Sequence, residues 1–106
     1  MGWYQKMILP KVIEKARGVV LEIGAGSGLN LPFYQNVSKL YFLEPSKELT
    51  AMARERAKDI SYPIEFMDAG AEQIPLVDAS VDTAVSTWTL CSIGDPAKAL
   101  REMRRV

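Results

Sequence analysis

The stretch VLEIGAGSG at residues 20–28 decides the fold. It joins a short apolar run, residues 19–23, to a bend with glycine at every second position from Gly24 to Gly28. Glycine adopts positive φ angles readily, and it leaves no side chain where a ligand must lie against the main chain. In open α/β sheets, ligands bind beyond the carboxyl ends of the strands. The stretch therefore predicts a strand, a tight bend and a ligand site, in that order.

Strand and helix patterns alternate along the rest of the chain. Apolar runs predict further strands at residues 39–43, 64–67 and 81–86. Helices are predicted at residues 4–16, in a short segment with Leu31, Pro32, Phe33 and Tyr34, after Ser46 as cap, and after Asp95-Pro96. The apolar residues expected on the buried faces of the last two helices are Leu49, Met52, Ala53 and Ile60, and then Leu100 and Met103. Such alternation implies a parallel sheet with crossover helices on both faces.

Composition limits the function classes. The chain has 106 residues, of which 13 are basic and 13 acidic, and this balance argues against nonspecific nucleic-acid binding. No apolar run is long enough to span a bilayer, so no transmembrane segment is expected. Cys91 is the single cysteine, which excludes an internal disulfide and favours a cytoplasmic setting. Histidine is absent, which excludes a histidine base, and no metal site is expected.

The residues around the bend favour one of two ligand classes. Dinucleotide enzymes use G-x-G-x-x-G or A, and Leu29 stands where their last small residue belongs. Glu22, just before the bend, suits a ligand with a cationic amino acid portion and suits a pyrophosphate poorly. Glu44 ends the second strand, where it can accept from both hydroxyls of a ribose of either class; the alternative is a solvated charge. Pro45 and Ser46 fix this carboxylate at the sheet edge. The favoured class is thus a ligand with a cationic amino acid portion. A nicotinamide oxidoreductase, which binds a dinucleotide, is the disfavoured alternative.

Three stretches resemble the class I S-adenosylmethionine-dependent methyltransferases. LEIGAGSGLN at residues 21–30 resembles their first motif, LEPS at 43–46 the acidic motif of their second strand, and AEQIPLVDASVDTAVSTWTLCSI at 71–93 their third and fourth segments. GLNLPFY at 28–34 and WTLCSIGDP at 88–96 are similar to a small-molecule branch. That branch includes the ubiquinone/menaquinone and phospholipid methyltransferases and the methyltransferase-like alkyl thiol enzymes.

The resemblance implies a fold and a domain organisation. The expected fold is an α/β, Rossmann-like parallel sheet with flanking helices, truncated after about four strands, in the order 3-2-1-4. Residues 1–106 are expected to form a single S-adenosylmethionine-binding methyltransferase domain that is incomplete at its C-terminus.

Position by position, the resemblance also implies a set of residues that bind S-adenosylmethionine. They are Glu22, Gly24, Ala25, Gly26, Gly28, Asn30, Glu44, Pro45, Asp68, Ala71, Glu72, Thr87 and Trp88. The glycines would wrap the cofactor, while Glu22 would serve its amino end and Glu44 its ribose.

The adenine and sulfonium ends of the cofactor match less fully. The family often places an acid directly before the Ala-Glu pair, whereas here Gly70 precedes Ala71 and Asp68 stands two residues earlier. Either Asp68 accepts from the adenine amino group, or the backbone around Ala71 binds it alone. Thr87 and Trp88 fall where the family faces the sulfonium. An aromatic face attracts a cation, and packing is the alternative role for Trp88.

The activity implied is transfer of a methyl group to a small-molecule or lipid-like acceptor, with S-adenosylhomocysteine as product. Alignment of donor and acceptor supplies much of such catalysis, so no catalytic residue is assigned. The acceptor atom is not predicted, because oxygen, nitrogen, carbon and sulfur all suit the chemistry. A catalytically inactive nucleoside-binding half-fold or interaction module is the alternative. An unpaired sheet edge along residues 81–86 would invite a second chain, so we expect either a homodimer through that edge or a chain excised from a longer protein.

Overall fold

The computed structural model describes residues 13–86 and 94–106, in which four strands form one sheet. The strands are β1 (Arg17–Ile23), β2 (Asn36–Leu43), β3 (Ile64–Met67) and β4 (Thr83–Ser86), all paired in parallel. The helices are a 3₁₀ turn (Leu31–Phe33), α1 (Lys47–Ala57) and α2 (Pro96–Arg105), and residues 13–15 are also helical. The strand order is β3-β2-β1-β4, which confirms the predicted order and the α/β class.

Three predicted strands differ from the observed ones at their amino ends. β1 and β2 start earlier, because Arg17 pairs with Asn36 ahead of a register shift. Backbone pairing thus extends both strands over residues that an apolar pattern does not mark. The predicted start of the fourth strand at Val81 is wrong, because the Val81 amide donates to the carbonyl of Val106, 2.8 Å away, just after α2. β3 has the predicted bounds.

Side chains along β1 alternate between two cores, one on each face of the sheet. The core that includes α1 and the 3₁₀ turn contains Ile13, Ala16, Val20, Ala25, Leu31, Tyr34, Leu40, Phe42, Ala53 and Val85. The core that includes α2 contains Leu21, Ile23, Leu43, Ala71, Ile74, Ala99 and Val106. The two helices therefore cover opposite faces, and each fully buried aliphatic side chain stabilises the fold by about 1.5–3 kcal/mol.

Small residues form the innermost positions of both helices. Ala53 of α1 and Ala99 of α2 are fully buried, whereas Met52 is 51% and Leu100 is 50% exposed. The expectation that Leu49, Met52 and Leu100 lie on buried faces is therefore wrong, since Leu49 is also 36% exposed. A helix comes closest to a sheet where its side chains are short, and a Cβ placed on Gly28 would lie only 3.1 Å from the Cβ of Ala53.

Both predicted helix starts are observed with their caps. The Ser46 hydroxyl accepts from the Leu49 amide at 3.3 Å, and the Asp95 carboxylate accepts from the Lys98 amide at 3.1 Å. Pro96 follows Asp95 at the start of α2, where no amide donor is needed. Each such cap stabilises a helix by about 1 kcal/mol.

The first two predicted helical segments are observed only in part. The helix predicted over residues 4–16 is described at residues 13–15, and its earlier part lies outside the described residues. The short segment after the bend is a single 3₁₀ turn, and Tyr34 behind it is extended (φ −72°, ψ 127°). Within residues 13–86 and 94–106, no helix has the length and apolar character needed to cross a membrane.

Candidate functional site

The glycine bend has the backbone that its sequence predicts. Gly24, Gly26 and Gly28 have φ angles of 59°, 64° and 85°, in the left-handed region that glycine adopts without strain. The Ala25 amide donates to the carbonyl of Leu43 at 3.2 Å, which ties the bend to the end of β2. The bend therefore lies at the carboxyl edge of the sheet, where α/β folds bind their ligands.

Gly26 and Gly28 lack side chains for different reasons. A Cβ built on Gly26 would meet no atom of the described residues within 4 Å, so this part of the bend is open in the described part of the chain. A Cβ on Gly28 would lie 2.9 Å from a methyl group of Leu31 and 3.1 Å from the Cβ of Ala53. Gly28 thus lets the loop pack on α1, and Gly26 leaves backbone accessible to a ligand.

Glu44 joins the bend to the start of α1. One carboxylate oxygen accepts from the Gly26 amide at 2.8 Å, and the other accepts from the Ser46 amide at 2.9 Å. The side chain is buried, with 8% of the residue exposed, so the alternative of a solvated charge is wrong. The structure brings Glu44 and the bend into direct contact, while Pro45, which follows Glu44 in the chain, is exposed.

Glu22 lies buried beneath the same loop, 1% exposed. The Tyr34 hydroxyl donates to its Oε1 at 2.6 Å, and Asn30 Nδ2 donates to its Oε2 at 3.2 Å. Burial raises the pKa of Glu22 to about 7, against the opposing effect of these two hydrogen bonds. Burial and the neighbouring Glu22 also raise the pKa of Tyr34 above its usual range. Asn30 is among the predicted site residues, whereas Tyr34 is not.

Glu22 and Glu44 lie on the same face of the sheet. Glu22 is in register with Phe42, and Glu44 follows Phe42 by two residues, so alternation directs both acids to the Phe42 side. Within the described ranges, neither carboxylate forms an ion pair. Two acids without a cationic partner favour a ligand that brings its own positive charge.

The predicted residues beyond β3 are only partly brought to this site. Asp68 is exposed, and Ala71 is buried in the core next to α2. The two carboxylate oxygens of Glu72 lie 3.4 Å from ideal Cβ positions on Gly70 and Gly94, between the loop after β3 and the chain before α2. The remaining predicted residues, Thr87 and Trp88, lie outside the described residues.

A charged clamp holds the segment that follows Ala71, and the sequence did not predict it. Glu102 Oε2 accepts from the Ile74 amide at 2.8 Å. Arg105 donates to the carbonyls of Ile74 at 2.9 Å and Leu76 at 2.8 Å, and it pairs with Asp78 at 2.8 Å and with Glu102 at 2.7 Å. These hydrogen bonds lower the pKa of Glu102 to about 2. The spacing of Glu102 and Arg105, one helical turn apart, is the signal that could have revealed the pair.

Fold and site together define a Rossmann-like α/β domain with a ligand-facing glycine bend after its first strand. Residues 21–106 match the methyltransferase domain family, and the chain belongs to that family. This confirms the resemblance carried by the motifs.

Individual relatives agree with that membership. Phosphatidylethanolamine N-methyltransferase from Cereibacter sphaeroides is 32% identical, with 84% of this chain and 45% of that protein covered. Thiol S-methyltransferase TMT1B from Homo sapiens is 35% identical, with 82% and 37% covered. A solved SAM-dependent methyltransferase from Thermotoga maritima is 28% identical with a TM-score of 0.70, covering 97% of this chain and 44% of that one. The family and this structure support S-adenosylmethionine as the cofactor, and the chain spans less than half the length of each of the three proteins.

Proposed function

We propose that this chain binds S-adenosylmethionine at the glycine bend and supplies the cofactor side of methyl transfer to a small-molecule or lipid-like acceptor. The observation that carries the proposal is the open backbone at Gly26, with the Glu44 carboxylate on its amide and the buried Glu22 carboxylate beneath the loop. The residues fit the cofactor. Its ribose hydroxyls need hydrogen-bond acceptors, which Glu44 offers, and its ammonium needs a negative partner, which Glu22 offers.

Glu44 is proposed to hold the ribose. Each of its oxygens accepts one backbone amide, and a carboxylate oxygen has a second lone pair that can accept a ribose hydroxyl. The two amides keep the carboxylate in place before the ligand arrives, so little side-chain entropy is lost on binding.

Glu22 and Asn30 are proposed to serve the amino acid end, with Gly24, Ala25 and Gly28 shaping the backbone around it. Beyond β3, the chain around Ala71 and Glu72 is proposed to border the adenine, with Asp68 as a further acceptor. Thr87 and Trp88, which lie outside the described residues, are proposed to face the sulfonium end on the strength of the resemblance alone.

The cofactor, when bound, supplies a methyl group on a cationic sulfur and leaves as a neutral thioether. The residues of this chain have to bind and orient it, and such alignment lowers the barrier by several kcal/mol without an acid–base pair. We assign no catalytic residue. Relatives that act on phosphatidylethanolamine and on thiols favour an acceptor of amine-lipid or thiol type. The single cysteine suits a cytoplasmic setting.

Calorimetric titration tests the cofactor. We expect S-adenosylhomocysteine to bind with a single site and NAD to give no heat of binding. Binding of NAD, or of neither ligand, would overturn the proposal. A methyl-transfer assay with S-adenosylmethionine and a thiol or amine-lipid acceptor then separates an enzyme from a nucleoside-binding module, because only the enzyme forms a methylated product.

A further inference from the structure

The loop between β1 and β2 closes back onto Glu22. Tyr34 lies twelve residues after Glu22, yet its hydroxyl donates to Oε1 at 2.6 Å, and Asn30 binds the other oxygen at 3.2 Å. Both donors come from the loop that contains the glycine bend. The loop that would enclose the cofactor therefore also orients the Glu22 carboxylate.

Tyr34 is itself held in place by Tyr62. The two rings meet edge to face, with centroids 6.2 Å apart and planes at 83°. The Tyr62 hydroxyl donates to the carbonyl of Leu31 at 2.6 Å, which anchors the 3₁₀ turn directly before Tyr34. The Tyr34 hydroxyl is thus delivered to Glu22 by a packed neighbour and an anchored turn.

We infer that Tyr34 is a positioning residue that holds the Glu22 carboxylate beneath the glycine bend. Through the ionisation of Glu22, cofactor affinity then depends on pH. This inference rests on the proposed function, in which Glu22 meets the cofactor's ammonium. Glu22 is 1% exposed, and no cationic side chain of residues 13–86 and 94–106 pairs with it, so we expect the ligand to bring its counter-charge.

The surroundings of Glu22 set the direction of the pH dependence. Among the described residues, the titratable groups that act on Glu22 are Tyr34 and Tyr62, and Glu44 ends the neighbouring strand on the same face. Burial raises the pKa of Glu22, and the hydrogen bond from Tyr34 opposes this effect; the net value is about 7. An ammonium favours the ionised form, so binding should tighten as the pH rises and should release a proton.

The test is the dissociation constant of S-adenosylhomocysteine for the whole chain between pH 5 and 8.5. We expect the affinity to rise roughly 100-fold from pH 5 to pH 8, tenfold per unit below the pKa, because only the ionised fraction binds. In Glu22→Gln this rise in affinity should be lost. The remaining pH dependence should be that of the ligand's own amino group. In Tyr34→Phe the midpoint should move to higher pH, with affinities approaching the wild-type value at pH 8.5.

Tyr41→Phe is the matched control, because it loses a tyrosine hydroxyl on the other face of the sheet, next to the core of α2, and its midpoint should stay at the wild-type pH. A Tyr34→Phe affinity that falls by one constant factor at every pH, or a wild-type profile equal to that of Glu22→Gln, would overturn the inference alone. Absence of binding at every pH would overturn the proposed function and the inference with it.

A direct titration covers the case in which Tyr34→Phe does not fold. Carboxyl ¹³C resonances of wild-type protein, with Glu22 assigned through Glu22→Gln, report its ionisation with and without S-adenosylhomocysteine. Saturation with the ligand should lower the Glu22 midpoint by at least one pH unit. An unchanged midpoint would contradict the coupling.

Discussion

A Cβ on Gly26 would meet no described atom, whereas a Cβ on Gly28 would meet Leu31 and Ala53. Substitution at the first position should therefore affect ligand binding, and at the second it should affect stability. Gly26→Ala places a methyl group in open space, so its cost to stability is limited to about 1 kcal/mol of left-handed strain. The same methyl group stands where the cofactor would approach, so we expect its affinity for S-adenosylhomocysteine to fall at least about tenfold.

Gly28→Ala is the matched comparison, with the same chemical change at a packed position. Its methyl group meets Leu31 and Ala53, so we expect a loss of about 2–4 kcal/mol in the free energy of unfolding. Urea unfolding and calorimetry on both variants measure the two effects. A Gly26→Ala variant that binds as tightly as the wild type would contradict the proposed ligand path.

Glu22 should also make the stability of the ligand-free protein depend on pH. Its pKa of about 7 in the folded state lies above its ordinary value of 4.5. The unfolded chain therefore ionises first, and stability falls as the pH rises from about 4.5 through 7. We expect Glu22→Gln to remove roughly 2–3 kcal/mol of the decline between pH 5 and pH 8.

The measurement is urea unfolding of the wild type and Glu22→Gln at pH 5 and pH 8, without ligand. The exposed Glu14→Gln is the control, and it should leave the pH dependence as in the wild type. Equal pH dependence in the wild type and Glu22→Gln would mean that the Glu22 carboxylate ionises in the folded protein as it does in water.

At the scale of the elements, Glu102 and Arg105 of α2 bind the segment between β3 and β4. The pKa of Glu102 is lowered to about 2, so its contribution to stability is present above pH 4.5 and is lost as the pH falls toward 2. We expect Glu102→Gln to lower the free energy of unfolding by about 1–2 kcal/mol at pH 7 and to differ little from the wild type near pH 2.

A helix pair of the same charge type supplies the control for this prediction. Glu55 pairs with Lys58 at 2.9 Å, but both side chains are about 70% exposed. Glu55→Gln should therefore change the stability by less than about 0.5 kcal/mol at pH 7. If Glu55→Gln and Glu102→Gln cost the same, the clamp stabilises no more than an ordinary surface pair.

Elements with a local signal could be predicted from the sequence, and those that depend on long-range contacts could not. The caps at Ser46 and Asp95, the strand β3 and the glycine bend each follow from neighbouring residues. The contact of Tyr34 with Glu22 and the bonds of Arg105 to residues about thirty positions away depend on how the chain returns in space. No local pattern encodes such contacts.

The prediction of which helix residues are buried failed for a related physical reason. Hydrophobic spacing ranks Met52 and Leu100 above alanine, but the distance between helix and sheet selects short side chains at the closest approach. Ala53 and Ala99 are fully buried there, whereas Met52 and Leu100 are about half exposed.

At the scale of the whole molecule, the two faces of the sheet have separate tasks. The face with α1 holds Glu22, Glu44 and the bend, so it forms the proposed ligand side. The face with α2 holds the second core, and backbone bonds of Ala79 and Val81 to the end of α2 lock the approach to β4. A ligand at the bend should therefore stabilise the first face directly and should reach the second face only at the chain around Ala71 and Glu72.

The predicted homodimer through β4 belongs to this scale, since it depends on the edge of the whole sheet. Within the described residues, β4 is the last strand on its side of the sheet, and an edge strand is where a second chain can add a further strand. We expect sedimentation velocity to show a concentration-dependent shift from monomer to dimer. Amide hydrogen exchange in β4 should slow over the same concentration range. β3, at the opposite edge, is the internal control, and its exchange should not change. A monomer at every concentration would contradict this prediction, and equal protection of both edges would place the contact elsewhere.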